Sequence, residues 1–427
     1  MPPQRIAMNI ILKKPFAILK TTFRALQYRN FRLFWFGQCV SLTGTWMQRT
    51  AQTWLVYTIT KSPLLVGIVG VCQFMPMLLF SLFAGVLVDR FPKKKLLLLT
   101  QFLFMLQAVL MTVLTYSKQI QYWHILLLST MFGFTQTLDM PARQSFFIDL
   151  VGRENLTNAI SLNSTIVNLA RIVGPALSGY VMLKYSTEFC FLVNTISYVP
   201  VIISIIMITV QEKLVGGTAG HMLPDIMDGI RYIKKNDTLV LNVLVTAVVC
   251  TFAMNNDVII PVFAKEVLSR GADGYTVLLA TAGFGAFMGA VLMAYYSKNG
   301  VHRSILILSG LATGILQILT LLTRQYWLSA ILIAAIGFFN LIFMNIANSI
   351  FQLNSSDEYR GRVMSVYAFL NMGSTPIGNF CVGVVMEKMG GMSGFVFCGV
   401  STLLLLLIIL LQKRKEVTSW LPFLQRQ

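Results

Sequence analysis

Residues 85–95 read GVLVDRFPKKK and close the second long hydrophobic segment of this chain. Gly85 removes a side chain where another helix can approach, and Asp89 leaves a carboxylate at the membrane edge, where it can cap a neighbouring helix N-terminus. Pro92 forces the chain out of the helix, and Arg90 with the lysines that follow favours a cytoplasmic turn. A plain basic turn explains the lysines, whereas the spacing of the glycine, aspartate and arginine is more specific.

The composition around this stretch is that of an integral membrane protein. Of the 427 residues, 56% are hydrophobic and only 12% are charged, which is too apolar for a soluble protein and too rich in apolar runs for one packed core. A membrane-spanning helix needs roughly 20 mostly apolar residues. Segments of this length predict twelve spans, at about 33–57, 64–88, 96–116, 123–147, 158–184, 189–210, 239–264, 274–297, 304–323, 326–351, 363–386 and 393–412.

The net charge of +18 comes from lysines and arginines that concentrate on alternate connections between these spans. They precede the first span, follow the second and follow the last, while the opposite connections carry single charges. The positive-inside rule therefore predicts that both termini lie in the cytoplasm, as an even number of spans requires. This distribution favours orientation in a membrane and contact with anionic lipid headgroups over nucleic-acid binding.

The longest polar interruption, residues 211–238, divides the spans six and six. It carries Ile226, Ile230 and Ile233 at helical spacing, which predicts a short amphipathic helix on the membrane surface. The predicted parts are a basic N-terminal arm (1–32), a six-helix bundle (33–210), a cytoplasmic linker (211–238), a second six-helix bundle (239–412) and a cytoplasmic tail (413–427).

The two halves share small residues when the second is shifted back by about 204 positions. Small residues at equal depth are expected where the helices of repeated units pack closely. The matched pairs are Gly85 with Gly289, Ser161 with Ser365, Gly174 with Gly378, and Gly179 with Gly383. Two parallel repeats with a site between them at the midplane is a known transporter plan.

The string GVLVDRFPKKK resembles the signature between the second and third spans of the major facilitator superfamily, with Pro92 and Lys93 departing from it. The resemblance implies an all-α membrane protein with twelve transmembrane helices in two pseudo-symmetric six-helix bundles. It also implies a latch that joins the two halves on the cytoplasmic side in the outward-facing state, extended by charges at the end of the fourth span. The implied latch residues are Gly85, Asp89, Arg90, Lys93, Asp139 and Arg143.

The stretch NLARIVGPALSGY, residues 168–180, is similar to the antiporter signature of that superfamily, and its match is partial. Gly174-Pro175 is intact, and Gly179 keeps the last glycine. A Gly-Pro pair inside a helix bends it and opens a close-packing face. Because the signature marks exporters, the resemblance implies export. Stretches such as GTWMQRTAQTWLVY and DMPARQSF are similar to the branch of enterobactin exporters and macrolide efflux proteins.

A polar stripe runs down the first span and contains Arg49. Its members, at steps of three and four, are Gln38, Ser41, Thr45, Gln48, Arg49 and Gln52. A cation near the bilayer centre costs at least ~2.5–3.5 kcal/mol, so this face should meet water, substrate or an anion. Asp257, beside Asn256 in the seventh span, should lie at similar depth. We hypothesise that Arg49 and Asp257 approach across the cavity as a pair that substrate or a proton can break; the alternative is that Asp257 is solvated in an extracellular vestibule.

Other charges within spans leave alternatives open. Asp139 and Arg143, at i and i+4 in the fourth span, can pair structurally, while the resemblance places them in the gate. Arg171 shares a face of the fifth span with Asn168 and can reach Asp139 or an anionic substrate.

These observations predict a transporter in a bacterial cytoplasmic membrane, expected to be monomeric, that exports a hydrophobic or amphipathic small molecule such as a siderophore or antibiotic. The chain has no phosphate-binding loop, metal set or catalytic constellation, so we expect a proton gradient as driving force, no cofactor, no metal and no enzymatic activity. One alternative is a lipid or lysolipid flippase or an importer of the same fold. The other is a non-transporting receptor or scaffold, against which the buried charges argue.

Overall fold

The computed structural model describes residues 23–210, 222–296, 302–356, 358–414, 416 and 420, and these form helices and turns without a strand. Residues 1–22 of the predicted arm, residues 211–221 of the predicted linker and most of the predicted tail lie outside the described residues.

The first half contains five helices after a short 3-10 turn at Arg24–Gln27. They are α1 (Arg29–Thr60), α2 (Pro63–Arg90), α3 (Lys93–Tyr116), α4 (Tyr122–Lys184) and α5 (Thr187–Met207). Helix α1 ends at Lys61, whose φ of 52° is left-handed, and Ser62 caps α2 by accepting a hydrogen bond from the Leu65 amide. Pro63 at the first helical position costs no hydrogen bond.

The second half contains shorter helical pieces. They are α6 (Met222–Lys234), α7 (Asp237–Val248), α8 (Asn256–Val262), α9 (Ala272–Tyr296), α10 (Arg303–Leu319), α11 (Tyr326–Leu353), α12 (Arg360–Ala368), α13 (Thr375–Met389) and α14 (Ser393–Gln412). Within the described ranges, nine helical segments are long and apolar enough to cross a membrane, by length and composition. Three predicted spans fall on helices outside that set: the first on α1, the fourth on the first part of α4, and the eleventh on α12 with α13.

The connection between the predicted fourth and fifth spans differs from the prediction. No loop separates them: α4 continues as helix except at Gly152, where φ is 72° and ψ is 169°. Only a glycine takes that conformation at little cost. The helix therefore changes direction at a single residue, and the polar run that follows Gly152 remains helical.

The seventh and eleventh predicted spans are interrupted helices. After α7, a π-helical turn at Val249–Ala253 leads to a break at Met254 and Asn255, and α8 then carries Asp257 in its first turn. Another π-helical turn, Phe263–Val267, follows α8, and a third, Phe369–Gly373, lies between α12 and α13. Interruptions of this kind re-aim side chains and are frequent at functional sites.

Glycines at corresponding positions of the two halves pack against corresponding helices. Gly174 of α4 lies against Trp46 of α1, and Gly378 of α13 lies against the Thr251–Asn255 region that continues α7. Gly179 of α4 lies against α9, and Gly383 of α13 lies against the start of α2. Both of these last contacts join the two halves: the first half supplies the glycine in one, and the second half supplies it in the other. These contacts support the repeat predicted from the sequence spacing.

The amphipathic helix α6 packs on the protein, and its predicted place at the membrane surface stays a prediction. Ile233 is buried, the ring of Tyr232 stacks on Tyr359 with centroids 4.6 Å apart, and the Tyr232 hydroxyl accepts a hydrogen bond from the Ser356 amide. Helix α6 therefore covers the connection between α11 and α12. The side chain of Ile226 lies outside the described residues.

Candidate functional site

An ion pair joins α1 to α8. The Nη2 atom of Arg49 lies 2.5 Å from Oδ2 of Asp257, and their side chains are 25% and 44% exposed. The interruption before α8 positions this contact, because the helical structure is interrupted at Asn255, two residues before Asp257, and restarts at Asn256. The hypothesis from sequence that these residues approach each other is therefore confirmed, while their role in transport stays a prediction. Their partial exposure leaves the pair accessible to a ligand or to water.

The ion pair borders a cleft between helices of the two halves. Its empty volume, including space open to solvent, is about 380 Å³. The lining residues are Arg49, Gln52, Thr53, Val56, Val66, Val69, Gly70, Gln73, Asp257, Val258 and Asn379. A ligand site is expected to combine apolar walls with a few polar groups that fix orientation, and this cleft has that character.

Arg171 of α4 lies beside this pair. The guanidinium carbons of Arg49 and Arg171 are each 5.1 Å from the ring centroid of Trp46, and that of Arg49 is 5.2 Å from the ring of Phe74. Arg171 also interacts electrostatically with both Asp257 and Arg49. The sequence analysis left Asp139 as a possible partner of Arg171, but among the described residues no ion pair joins the two. The site thus holds two guanidinium groups and one carboxylate.

The polar stripe of α1 is divided between two environments: Arg49 and Gln52 line the cleft, while other members pack inside the first half. Buried Gln48 donates to Gln107 of α3 at 2.8 Å and accepts from Asn194 of α5 at 2.7 Å. Gln52 donates to Ser129 of α4 at 2.8 Å. Successive side chains on a helix point about 100° apart, so Arg49 faces the cleft while Gln48 faces its neighbouring helices.

Two other predicted substrate residues make only local contacts or none. Asn168 is exposed and donates to the Ser164 carbonyl of its own helix at 2.9 Å. The Oδ1 atom of Asn256 is buried and has no hydrogen-bond partner among the described residues. Neither residue lines the cleft around the ion pair.

Asp139 and Arg143 form a buried network within the first half. Asp139 accepts hydrogen bonds from Thr100 and Gln101 of α3, both 2.8 Å long, and from Nε of Arg143 at 3.1 Å. Arg143 also donates to Gln38 of α1. This matches the structural pairing considered from sequence, because the carboxylate receives several donors and its charge is compensated.

The remaining predicted gate residues lie at the end of α2. Arg90 is exposed and Lys93, the first residue of α3, is buried. Gly85 and Asp89 lie in helix α2, but the contacts of these two residues are outside the described structure. The gate predicted from Gly85 and Asp89 therefore remains a prediction.

The opposite end, where α1 passes into α2, is closed by hydrogen bonds between the halves that the sequence analysis did not predict. The Tyr57 hydroxyl donates to Oε1 of Glu266 at 2.6 Å, and the other oxygen of Glu266 accepts from the Gly391 amide at 2.7 Å. The Ser62 hydroxyl donates to Glu387 at 2.6 Å. A signal was available: carboxylates are scarce in this chain, and these two end the predicted seventh and eleventh spans.

Close helix packing accompanies these hydrogen bonds. A β-carbon placed on Gly67 of α2 would lie 2.5 Å from the backbone oxygen of Asn379 in α13. The rings of Trp54 in α1 and Tyr275 in α9 stack with centroids 5.5 Å apart. The two halves therefore meet tightly between the ion pair and the α1–α2 connection.

An all-helical membrane chain whose two halves meet at a charged cleft is consistent with a transporter. The family of transmembrane secretion effectors matches residues 20–420. This chain therefore belongs to that family, within the major facilitator superfamily, and its family and relatives are transporters rather than enzymes.

Two curated relatives show the branch. The staphyloferrin A transporter of Staphylococcus aureus (strain NCTC 8325 / PS 47) is 24% identical over 388 residues, which cover 90% of this chain and 96% of the relative. Macrolide efflux protein A of Streptococcus pyogenes is 20% identical over 399 residues, covering 92% and 98%.

A solved structure supports the fold. The crystal structure of a bacterial homologue of the human lysosomal transporter Spinster, in an inward-facing and unoccupied conformation, superposes with a TM-score of 0.68 at 13% identity. The match covers 90% of this chain and 97% of that one.

Proposed function

We propose that this protein is a secondary transporter that exports a hydrophobic or amphipathic small molecule, driven by protons, through alternating access of two six-helix bundles. The twelve predicted spans, the 6+6 division and the cytoplasmic termini are parts of this proposal. The observation that carries it is the Arg49–Asp257 pair across the cleft between the halves, next to a closed end. A partly exposed ion pair at membrane depth is costly unless water or a ligand reaches it, so it favours a role in function over packing alone.

The conformation fits one state of such a cycle. The α1–α2 connection lies on the extracellular side if the termini are cytoplasmic, so the closed end faces outward. A closed outer end is expected of the inward-facing state, in which the cleft would be reached from the cytoplasm. Substrate or a proton that breaks the Arg49–Asp257 pair would weaken the contact of the halves at this depth and permit the change to the outward-facing state.

Transport by purified protein in proteoliposomes tests this proposal. Siderophores, macrolide antibiotics and lysolipids are screened for thermal stabilisation, and stabilising compounds are then tested for flux under a pH gradient applied in either direction. We expect flux that depends on the gradient and that Asp257→Asn abolishes or uncouples. The matched control is Asp228→Asn, which removes an exposed aspartate of α6 that pairs with Arg231.

Two results would overturn the proposal. Normal proton-dependent flux by the Asp257→Asn protein would show that the Arg49–Asp257 pair is not needed for coupled transport. Flux of lysolipids alone, or flux only into the compartment that represents the cytoplasm, would replace export with one of the alternatives of the same fold.

A further inference from the structure

We infer that the central site takes an anionic substrate, an amphipathic molecule that carries at least one carboxylate, held by Arg171 and Arg49 together. This inference rests on the proposed function, because it names the chemical class of the transported molecule. Arg171 is then a binding residue whose partner is the substrate rather than another part of the protein.

The charges around Trp46 do not balance. Around Trp46 lie the guanidinium groups of Arg49 and Arg171, and Asp257 is the carboxylate that acts electrostatically on both. The charged residues nearby on α4, Asp139 and Arg143, compensate each other in a separate network. The site around Trp46 therefore has one positive charge in excess.

Arg171 differs from Arg49 in its contacts. Arg49 donates to Asp257, whereas the side chain of Arg171 lies over the ring of Trp46 and makes no hydrogen bond or ion pair among the described residues. An arginine has five N–H donors in a planar fork that matches a carboxylate. At membrane depth such a group is costly unless it meets water or an anion, so Arg171 is available to a ligand with that chemistry.

Arg171 has a fixed position next to the pair. The next residue, Ile172, packs against Gly283 of α9, and Gly174, three residues after Arg171, packs against Trp46. Helix α4 is thus held against both α1 and α9 where Arg171 emerges. Both guanidinium carbons lie 5.1 Å from one ring centroid, so they are no further apart than twice that distance. One molecule with a carboxylate can reach both.

Binding would cause an exchange of partners at Arg49. A substrate carboxylate can replace Asp257 at Arg49 while Arg171 compensates the additional negative charge, so no cation is left unpaired. A cationic substrate could pair with Asp257, but it would meet two arginines as well, and like charges at close range oppose binding. The site therefore discriminates by charge, and it couples anion binding to release of Asp257.

Equilibrium binding of two dyes with a related ring system tests this inference on the full-length protein in nanodiscs at one fixed pH and without a gradient. Fluorescein is an anionic xanthene that carries a carboxylate, and tetramethylrhodamine methyl ester is a cationic xanthene. We expect fluorescein to bind more tightly than the cationic dye. Arg171→Gln should weaken fluorescein binding by about tenfold to a hundredfold, the loss expected for a hydrogen bond to a charged group.

Three further variants sharpen the test. Arg171→Lys should restore most of the fluorescein affinity, since it keeps the positive charge. Asp257→Asn should strengthen fluorescein binding, since it removes the competing carboxylate. Arg270→Gln is the matched control, because Arg270 lies over Tyr326 outside the cleft and its loss should leave the dissociation constant unchanged. Thermal unfolding of each variant confirms that it is folded.

The inference is overturned if the wild type binds the cationic dye more tightly, if it binds fluorescein no better than the Arg171→Gln protein, or if fluorescein does not bind. The proposed function can fail separately. If dye binding follows these expectations while no flux is found in proteoliposomes, the result would support the anion site and refute the proposed transport.

Discussion

The hydrogen bond between Tyr57 and Glu266 is predicted to stabilise the state in which the α1–α2 end is closed. The change Tyr57→Phe removes only the hydroxyl, whose partner is Glu266 at 2.6 Å. Hydrogen bonds to charged groups contribute ~1.5–3 kcal/mol. Because Glu266 is exposed, water can replace part of this contribution, so we take the lower end of the range. A loss of ~1.5 kcal/mol shifts the equilibrium between closed and open states about tenfold towards the open one.

Distances between spin labels measure this shift. Labels are placed at Lys61 in the first half and at Lys388 in the second, both exposed near the closed end, in a variant without native cysteines. We expect Tyr57→Phe to increase the population with long distances. The matched control is Tyr28→Phe, because the Tyr28 hydroxyl accepts from Asn155 within the first half and its loss should leave the distances unchanged.

An unchanged distance distribution in the Tyr57→Phe protein would refute the reasoning, provided that the wild type populates both states. A change of equal size in the Tyr28→Phe protein would refute it as well, since the effect would then not depend on contact between the halves.

Three further predictions concern stability and the division between site and packing. Asp139→Asn should lower the free energy of unfolding by ~3–5 kcal/mol, because it leaves Arg143 without its buried counter-ion; unchanged denaturant midpoints would contradict this. Gln48→Leu should destabilise the protein by ~1–3 kcal/mol yet leave fluorescein affinity unchanged, since its amide pairs within the first half; weakened binding would return Gln48 to the site. Gly174→Val should destabilise by ~1–3 kcal/mol, because a β-carbon there would lie 2.5 Å from that of Trp46; Gly361→Ala, where a β-carbon meets nothing within 4 Å, should cost less than the valine change at Gly174.

The contact between Arg49 and Asp257 is the part of the candidate site that the sequence predicts correctly. Arg49 and Asp257 were paired from their depth in related spans, and the structure places them in contact. Depth follows from counting residues along a helix, because each residue rises by about 1.5 Å. The spacing of polar residues does not fix the direction of each side chain, so it predicts one polar face on α1 although Gln48 packs inside the first half.

The closing contacts at the α1–α2 end were not predicted because their partners are far apart in sequence. Tyr57 and Glu266 meet only once the two halves have docked, and no local pattern records which tyrosine faces which glutamate. The interruptions around α8 and between α12 and α13 were missed for a related reason. Polar residues such as Asn255 and Asn371 lie at the interruptions, but an average over about 20 residues does not record where the helical hydrogen bonds change.

The sequence by itself determined that this chain is a helical membrane protein with many apolar segments, and it located charges within the predicted first, fifth and seventh spans. Those properties depend on composition and spacing, and the membrane enforces them because backbone groups must pair within each helix. Only the tertiary structure decided which charges meet. It pairs Arg49 with Asp257, compensates Asp139 within the first half and leaves Arg171 beside Trp46 with its donors available, since these outcomes depend on how the helices rotate and dock against one another.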